Sequence, residues 1–236
     1  MTQGLYQTLG TLSASNNYNN WIYNTIKNDI TGTILDIGSG LGDIAKFYCS
    51  NPTVKRVIFS DYSDSMVNEI NKHFSEHPNY SALRLDISDS ECFDFIPHNS
   101  IDTITCINVL EHIQDDEKAV SNMHGLLKSG GRLVILVPAF PFLYGTLDEL
   151  VDHKRRYTKK SLSQLLLKHS FYIEKSFYMN IFGTITWFSA GKIFRHKRFE
   201  PNACRLLDKI VPILESMEKF ITPPFGQSLV ISAQKY

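Results

Sequence analysis

Gly38, Gly40 and Gly42 fall at alternate positions in the run Ile34-Leu35-Asp36-Ile37-Gly38-Ser39-Gly40-Leu41-Gly42-Asp43. An apolar, β-branched stretch carries an acid, turns on glycines and leads into a helix-forming segment. A turn of this kind at the carboxyl end of a first parallel strand is where open α/β sheets hold nucleotides. Glycine suits it because the backbone must turn tightly and a ligand must approach closely. The spacing is G-x-G-x-G, whereas a dinucleotide fingerprint is G-x-G-x-x-G. Asp43 stands where the third glycine of that fingerprint would fall. A carboxylate at the mouth of a helix is a poor neighbour for a pyrophosphate. It tolerates a cation or an amine. The turn therefore points away from NAD and toward S-adenosylmethionine (SAM).

Other residue types carry chemistry further along. Asp61 lies nineteen residues after Gly42, at the end of a second apolar run. An acid there can accept both hydroxyls of a ribose. The structural alternative is a helix N-cap, for which Ser63 and Asp64 are better placed. His112, after a fourth apolar run, and His153 are candidate general bases for a hydroxyl or phenol acceptor. A carboxylate acceptor needs no base but needs cations. Arg155 and Arg156, beside Tyr157, offer bidentate donors for one. The alternative for residues 153–160 is a solvated basic edge, with one arginine locking the loop inward and the other facing out. There is no H-E-x-x-H and no convincing acidic cation set, so no metal site is expected.

These residues must be positioned by regular elements. Strand-like runs recur at 33–37, 56–60, 81–86, 101–107 and 131–137, with helical patterns at 17–29, 41–49, 64–75 and 115–128 between and before them. Such alternation predicts a parallel sheet with right-handed crossovers. The runs Thr103 to Ile107 and Leu133 to Val137 are almost continuously apolar, as in strands buried on both faces. Ser129-Gly130-Gly131 is read as a glycine cap closing the helix before the fifth strand. After Pro138 the pattern changes. Residues 139–152 are aromatic and irregular, 158–169 read as a helix capped by Thr158 or Ser161, and 171–178 as a strand. Residues 181–221 read as mostly helical, and 227–234 as a last strand. A single domain over 1–236 is expected, with a substrate loop at 139–157 and a helical lid at 181–225.

Composition excludes several classes. The chain has 236 residues, no net charge and 43% hydrophobic residues, which suits one globular domain. Zero net charge leaves no electrostatic footprint for nucleic acid. Cys49, Cys92, Cys106 and Cys204 form no C-x-x-C pair. Cys49 and Cys106 sit in apolar surroundings, as buried thiols of a reducing cytoplasm do. The polar start, Met1 to Asn20, does not read as a signal peptide. Ile181 to Phe194 is too short for a membrane span and contains Lys192. Lys192 to Arg198, beside Phe182, Ile185, Trp187, Phe188 and Phe194, suits a lid over a hydrophobic acceptor or a membrane surface. An ordinary packed helix with a polar end is the plainer reading, and a dimer contact is a third. The oligomeric state is not legible.

Five segments, in order and at suitable intervals, resemble the class I SAM-dependent methyltransferases. They are Leu35 to Gly42, Phe59-Ser60-Asp61-Tyr62-Ser63, Leu85-Asp86-Ile87, Ile107-Asn108-Val109-Leu110-Glu111-His112-Ile113 and Leu126 to Leu133. The resemblance covers roughly Trp21 to Tyr178 and the final strand. It implies a Rossmann-like seven-stranded sheet of order 3-2-1-4-5-7-6. The last strand is antiparallel, helices cover both faces and a helical insertion separates strands 6 and 7. It implies that Gly38, Ser39 and Gly40 hold the methionine end of SAM through backbone groups, with Asp36 near the amine. Asp61 would take the ribose, Asp86 the adenine amino group and the Ile87 N–H the ring. A turn acid is the alternative for Asp86. Tyr62 and Met66 would pack on the adenine, and Asn108, followed by Val109, would offer its carbonyl to the amine. Tyr18 and Trp21 would lid the methionine end or pack on the sheet edge. His153-Lys154-Arg155-Arg156-Tyr157 resembles the H-x-R-R-Y segment of a bacterial subgroup, often found alongside natural-product, peptide-tailoring or polysaccharide genes.

The expected activity is methyl transfer from SAM to a small metabolite or tailored peptide, anionic in the carboxylate case. Oxygen is the first target, nitrogen or carbon the next. A SAM-binding scaffold without catalysis and an NAD-dependent reductase are the rivals.

Overall fold

A computed structural model describes residues 15–74, 76–198 and 200–236. The reading of Met1 to Ala14, and that of the Cys49 thiol, lie outside what is described. The seven apolar runs are the strands β1 (Gly32–Ile37), β2 (Val54–Asp61), β3 (Tyr80–Arg84), β4 (Ile101–Ile107), β5 (Leu127–Pro138), β6 (Phe171–Met179) and β7 (Ser228–Lys235). They form one sheet of order β3-β2-β1-β4-β5-β7-β6. The first five strands are parallel, and β7 runs antiparallel between β5 and β6. This is the Rossmann-like order that the family resemblance implies.

Adjacent residues of a strand point to opposite faces, so each central strand feeds two cores. Leu35, Ile104 and Leu133 face one, with Ala119 and Met123 of α4 (Asp116–Leu126) and Leu162 and Leu166 of α6 (Lys159–Lys168). Ile34, Phe59 and Val134 face the other, with Ile22 and Ile26 of α1 (Asn16–Ile26) and Ile70 of α2 (Asp64–Phe74). Burial of this kind, at about 25 cal/mol per Å² of apolar surface, is the main force holding helices to the sheet. Thr158 caps α6, accepting from the Ser161 N–H at 3.0 Å. A one-turn helix α3 (Cys92–Phe95) precedes β4.

Two expectations are corrected. Residues 41–49 do not form an α-helix; a 3-10 stretch, Ala45–Ser50, follows the turn. Gly40 and Gly42 have φ of +57° and +77°, which no right-handed helix accommodates, and Phe74 fills the place of a Gly42 Cβ. Ser129-Gly130-Gly131 does not close a helix either. α4 stops at Leu126, Leu127 is already extended, and the Lys128 Nζ–Asp102 Oδ1 pair at 2.6 Å draws the chain along β4.

Residues 139–157 hold more structure than their composition suggests. Phe140 (φ +61°) starts a 3-10 turn, Pro141–Leu143, and α5 (Thr146–Leu150) follows. Between β6 and β7 stand α7 (Ile181–Phe188), a π turn (Ser189–Ile193) and α8 (Pro201–Glu218). Asn180 and Gln227 close the base of this insertion through Gln227 N–H to Asn180 O (2.9 Å) and Asn180 Nδ2 to Gln227 Oε1 (3.0 Å). No helix among the described residues is long and apolar enough to cross a membrane.

Candidate active site

The turn after β1 is held by its own chain. The Ser39 N–H donates to Ser60 O at 2.8 Å, and Ser39 Oγ to Asp36 O at 3.0 Å. The Gly40 N–H donates to Asp61 Oδ2 at 3.1 Å, and the Ser63 N–H to Asp61 Oδ1 at 2.9 Å. Asp61 thus ties the glycine turn to the end of β2, and burial raises its pKa. Its two oxygens keep lone pairs for further donors. A Cβ on Gly38 would stand 2.5 Å from Val109 Cγ2, whereas one on Gly40 would meet nothing within 4 Å. Gly38 therefore serves the close approach of β1 and β4 ends, and Gly40 faces open space where a ligand can lie against backbone. Gly38→Ala is expected to cost about 2–3 kcal/mol of unfolding free energy, from the left-handed backbone and the stiff valine it meets; urea denaturation checks this. Gly40→Ala should cost less.

Asp36 is buried at the end of β1. Thr105 Oγ1 donates to its Oδ1 at 2.6 Å and Tyr48 OH at 3.4 Å. Burial nevertheless raises its pKa to about 6. If this carboxylate receives a ligand ammonium, binding requires it ionised. Affinity then falls as pH drops through 6, because protons compete for the same group. SAM should bind about tenfold more weakly at pH 5 than at pH 7.5, and Asp36→Asn should flatten that profile. Calorimetric titration at the two pH values checks it.

The remaining cofactor candidates divide. Tyr62, next to Asp61, is exposed, while Met66 on α2 is buried. Asp86 is exposed, but its Oδ1 already accepts from the Ser88 N–H (2.9 Å) and Oγ (2.6 Å), the turn-acid arrangement. Ile87 is buried, and Asn122 Nδ2 fixes its carbonyl at 2.8 Å. Asn108 is exposed and left-handed (φ +54°) at the end of β4, with Val109 against Gly38. Trp21 is 4% exposed and packs within the second core. Tyr18 meets its ring edge-on, and its hydroxyl is 3.3 Å from Ser228 Oγ.

The loop after β5 brings the other candidates together around Asp148. Arg156 Nε donates to Asp148 Oδ1 at 2.7 Å and Nη1 to Ala139 O at 2.9 Å. His153 Nδ1 is 2.8 Å from the same oxygen, and Trp187 Nε1 donates to Oδ2 at 3.0 Å. Burial opposes ionisation of Asp148, but the His153 hydrogen bond and the Arg156 charge outweigh it and lower its pKa. His112 packs edge-on against His153, centroids 4.9 Å apart. Burial and that neighbour push the His112 pKa down to about 4, so its imidazole is neutral near pH 7.

The anion clamp expected of Arg155 and Arg156 is corrected. Arg156 is sealed against Asp148, and Arg155 Nη1 pairs with Asp116 at 2.9 Å while Nη2 holds Gln114 O at 2.7 Å. Tyr157 OH also donates to Asp116, at 2.8 Å. A cleft of about 400 Å³ beside Arg155 and Tyr157 shares no residue with the glycine turn. Sequence reasoning missed Asp148 as the hub. Its one signal was an acid set among Leu147, Leu150 and Val151. Glu111, fully buried below His112, was missed as well.

The sheet order, the turn after β1 and the acid ending β2 define a class I methyltransferase fold. Residues 35–133 match the methyltransferase-domain family. The ubiquinone/menaquinone biosynthesis C-methyltransferase UbiE of Francisella tularensis subsp. novicida is 32% identical over 120 residues, 49% of this chain and 48% of UbiE. The uncharacterized methyltransferase YcgJ of Bacillus subtilis is 32% identical over 126 residues, 52% of this chain and 47% of YcgJ. The chain thus spans about half the length of these curated relatives. The crystal structure of YcgJ superposes with a TM-score of 0.62 at 18% identity, covering 92% of this chain and 98% of YcgJ. The Haemonchus contortus phosphoethanolamine N-methyltransferase 2, solved with SAM, gives 0.60 at 19% identity, covering 87% of this chain and 49% of that one. The chain is thus similar over residues 35–133 to the methyltransferase-domain family and has the Rossmann-like methyltransferase fold.

Proposed function

We propose that the chain is an enzyme that transfers the methyl group of SAM to a small acceptor. The carrying observation is the Gly38–Gly42 turn bound through Gly40 to Asp61, with open space over Gly40. SAM supplies a methyl carbon already activated by its sulfonium. The protein then has to give proximity, alignment and a deprotonated nucleophile. Backbone at Ser39 and Gly40 and the carboxylates of Asp36 and Asp61 hold the donor. Tyr62 covers the base, and Asp86 and the Ile87 N–H meet its polar edge. Asn108 closes the amine end.

On the acceptor side, the ring nitrogens of His112 and of His153 packed beside it support an acceptor that must lose a proton. A hydroxyl or phenol methylated at oxygen is the first reading. The likeness to UbiE, named a C-methyltransferase, supports a second, in which the ring carbon of an ionised phenol takes the methyl and then gives up its hydrogen as a proton. A carboxylate acceptor loses support, since both arginines already face protein acids. Natural-product or tailored-peptide acceptors rest on the H-x-R-R-Y segment alone.

Calorimetry with SAM, followed by mass spectrometry of products from isotopically labelled SAM and a panel of phenols and alcohols, tests this reading. Labelled product supports it. SAM binding without transfer to any acceptor favours a scaffold. NADH binding without SAM binding overturns it.

A further inference from the structure

Glu111 is 0% exposed, and neither of its carboxylate oxygens has a hydrogen-bond partner. Burying an unpaired carboxylate costs several kcal/mol in general, so its neighbours matter. His153 Nε2 is 3.7 Å from Glu111 Oε1, too far for a hydrogen bond. One donor atom from each of Glu111, His112 and His153 lies within 4.8 Å of the others. We propose that Glu111, His112 and His153 form a binding site for one divalent transition-metal ion of the Zn²⁺ class, with a carboxylate oxygen and two imidazole nitrogens as ligands.

The outer partners support this. A metal-binding histidine usually donates its other ring N–H to a carboxylate or a carbonyl, which fixes its tautomer and aim. Both histidines have such a partner. His153 Nδ1 meets Asp148 at 2.8 Å, and His112 Nδ1 meets the Asp152 carbonyl at 3.2 Å. In each ring this leaves Nε2 as the ligating atom. Asp148 is itself fixed by Arg156, Trp187 and the Gly145 N–H. Two histidines and a glutamate are an established Zn²⁺ ligand set that leaves a position open. Tetrahedral ligands at Zn²⁺ distances stand about 3.4 Å apart, so donor atoms that lie within 4.8 Å of one another must close by up to about 1.4 Å, which half-buried His112 can provide.

The competing use of Glu111 involves Arg156, whose Nη2 is also buried without a partner. A proton on Glu111, or a water bridging it to Nη2, would satisfy the pair with no metal. Occupied, the metal site would draw both imidazoles away from a base role and offer an acceptor oxygen a Lewis acid instead. That last clause alone rests on the methyl-transfer reading; metal binding does not.

The experiment uses the full chain, stripped with a chelator, desalted and titrated with Zn²⁺ alone. Metal content is read by mass spectrometry and affinity by calorimetry. The expected result is one Zn²⁺ per chain, with affinity lowered at least about tenfold in both Glu111→Gln and His112→Ala. Circular dichroism confirms that each variant is folded; if Glu111→Gln is not, His112→Ala at the rim decides. No stoichiometric Zn²⁺ on the wild type, or wild-type affinity in either folded variant, overturns the site. SAM affinity measured on the stripped chain keeps this result separate from the proposed activity.

Discussion

Arg156→Ala is expected to lower the unfolding free energy by about 3–5 kcal/mol, the range for removing one partner of a buried ion pair. The guanidinium is wholly buried, donates to Asp148 and to the Ala139 carbonyl, and lies over the Trp187 ring at 5.1 Å. Its loss leaves Asp148 in the interior with only neutral donors and a histidine. Arg155→Ala should cost under about 1 kcal/mol, because its pair with Asp116 is partly solvated. Urea denaturation of the two variants, side by side, reads the difference. Equal losses would show that the neighbouring arginines share one role. SAM affinity should stay near the wild-type value in Arg155→Ala.

Asp61→Ala should weaken SAM binding by about 100-fold, or about 3 kcal/mol, from two lost hydrogen bonds to a charged acceptor. The carboxylate also restrains the Gly40 and Ser63 N–H groups, so the turn loses its anchor as well. Asp61→Asn keeps one acceptor oxygen and should fall between. Calorimetry with SAM measures all three proteins. Unchanged affinity in Asp61→Ala would remove this residue from the donor site.

The sheet was legible because its strands are short apolar runs spaced by helical patterns, and such runs can be buried only in a few ways. Residues 41–49 misled for a local reason. Ile44, Ala45, Phe47 and Tyr48 carry helical spacing, but the left-handed glycines before them set the chain on a tighter path. The charged loop was harder to read. Seven residues separate Asp148 from Arg156, and nothing in their spacing says that this acid, rather than Asp116 or Glu149, receives that arginine. Pairing there is decided by which side chains the β5 end and Trp187 enclose, a property of three dimensions. Glu111 shows the same limit: a Glu-His pair after a strand reads as surface chemistry until the carboxylate is found buried.

The two ends of the segment between β6 and β7 lie side by side, joined by Asn180 and Gln227. With its ends already closed, the cost of lengthening such a segment grows only logarithmically. Apart from that base, it is anchored where α8 packs on α1, with Val211 in the core and Asp208 bonded to Asn17, and where Trp187 meets Asp148 and Arg156. It is a cassette with fixed anchors: what it carries beyond Trp187 and the α8 face on α1 can be resized while the strands on either side keep their register. Descendants of one sheet could thus come to accept different molecules without having to invent a new way to fold.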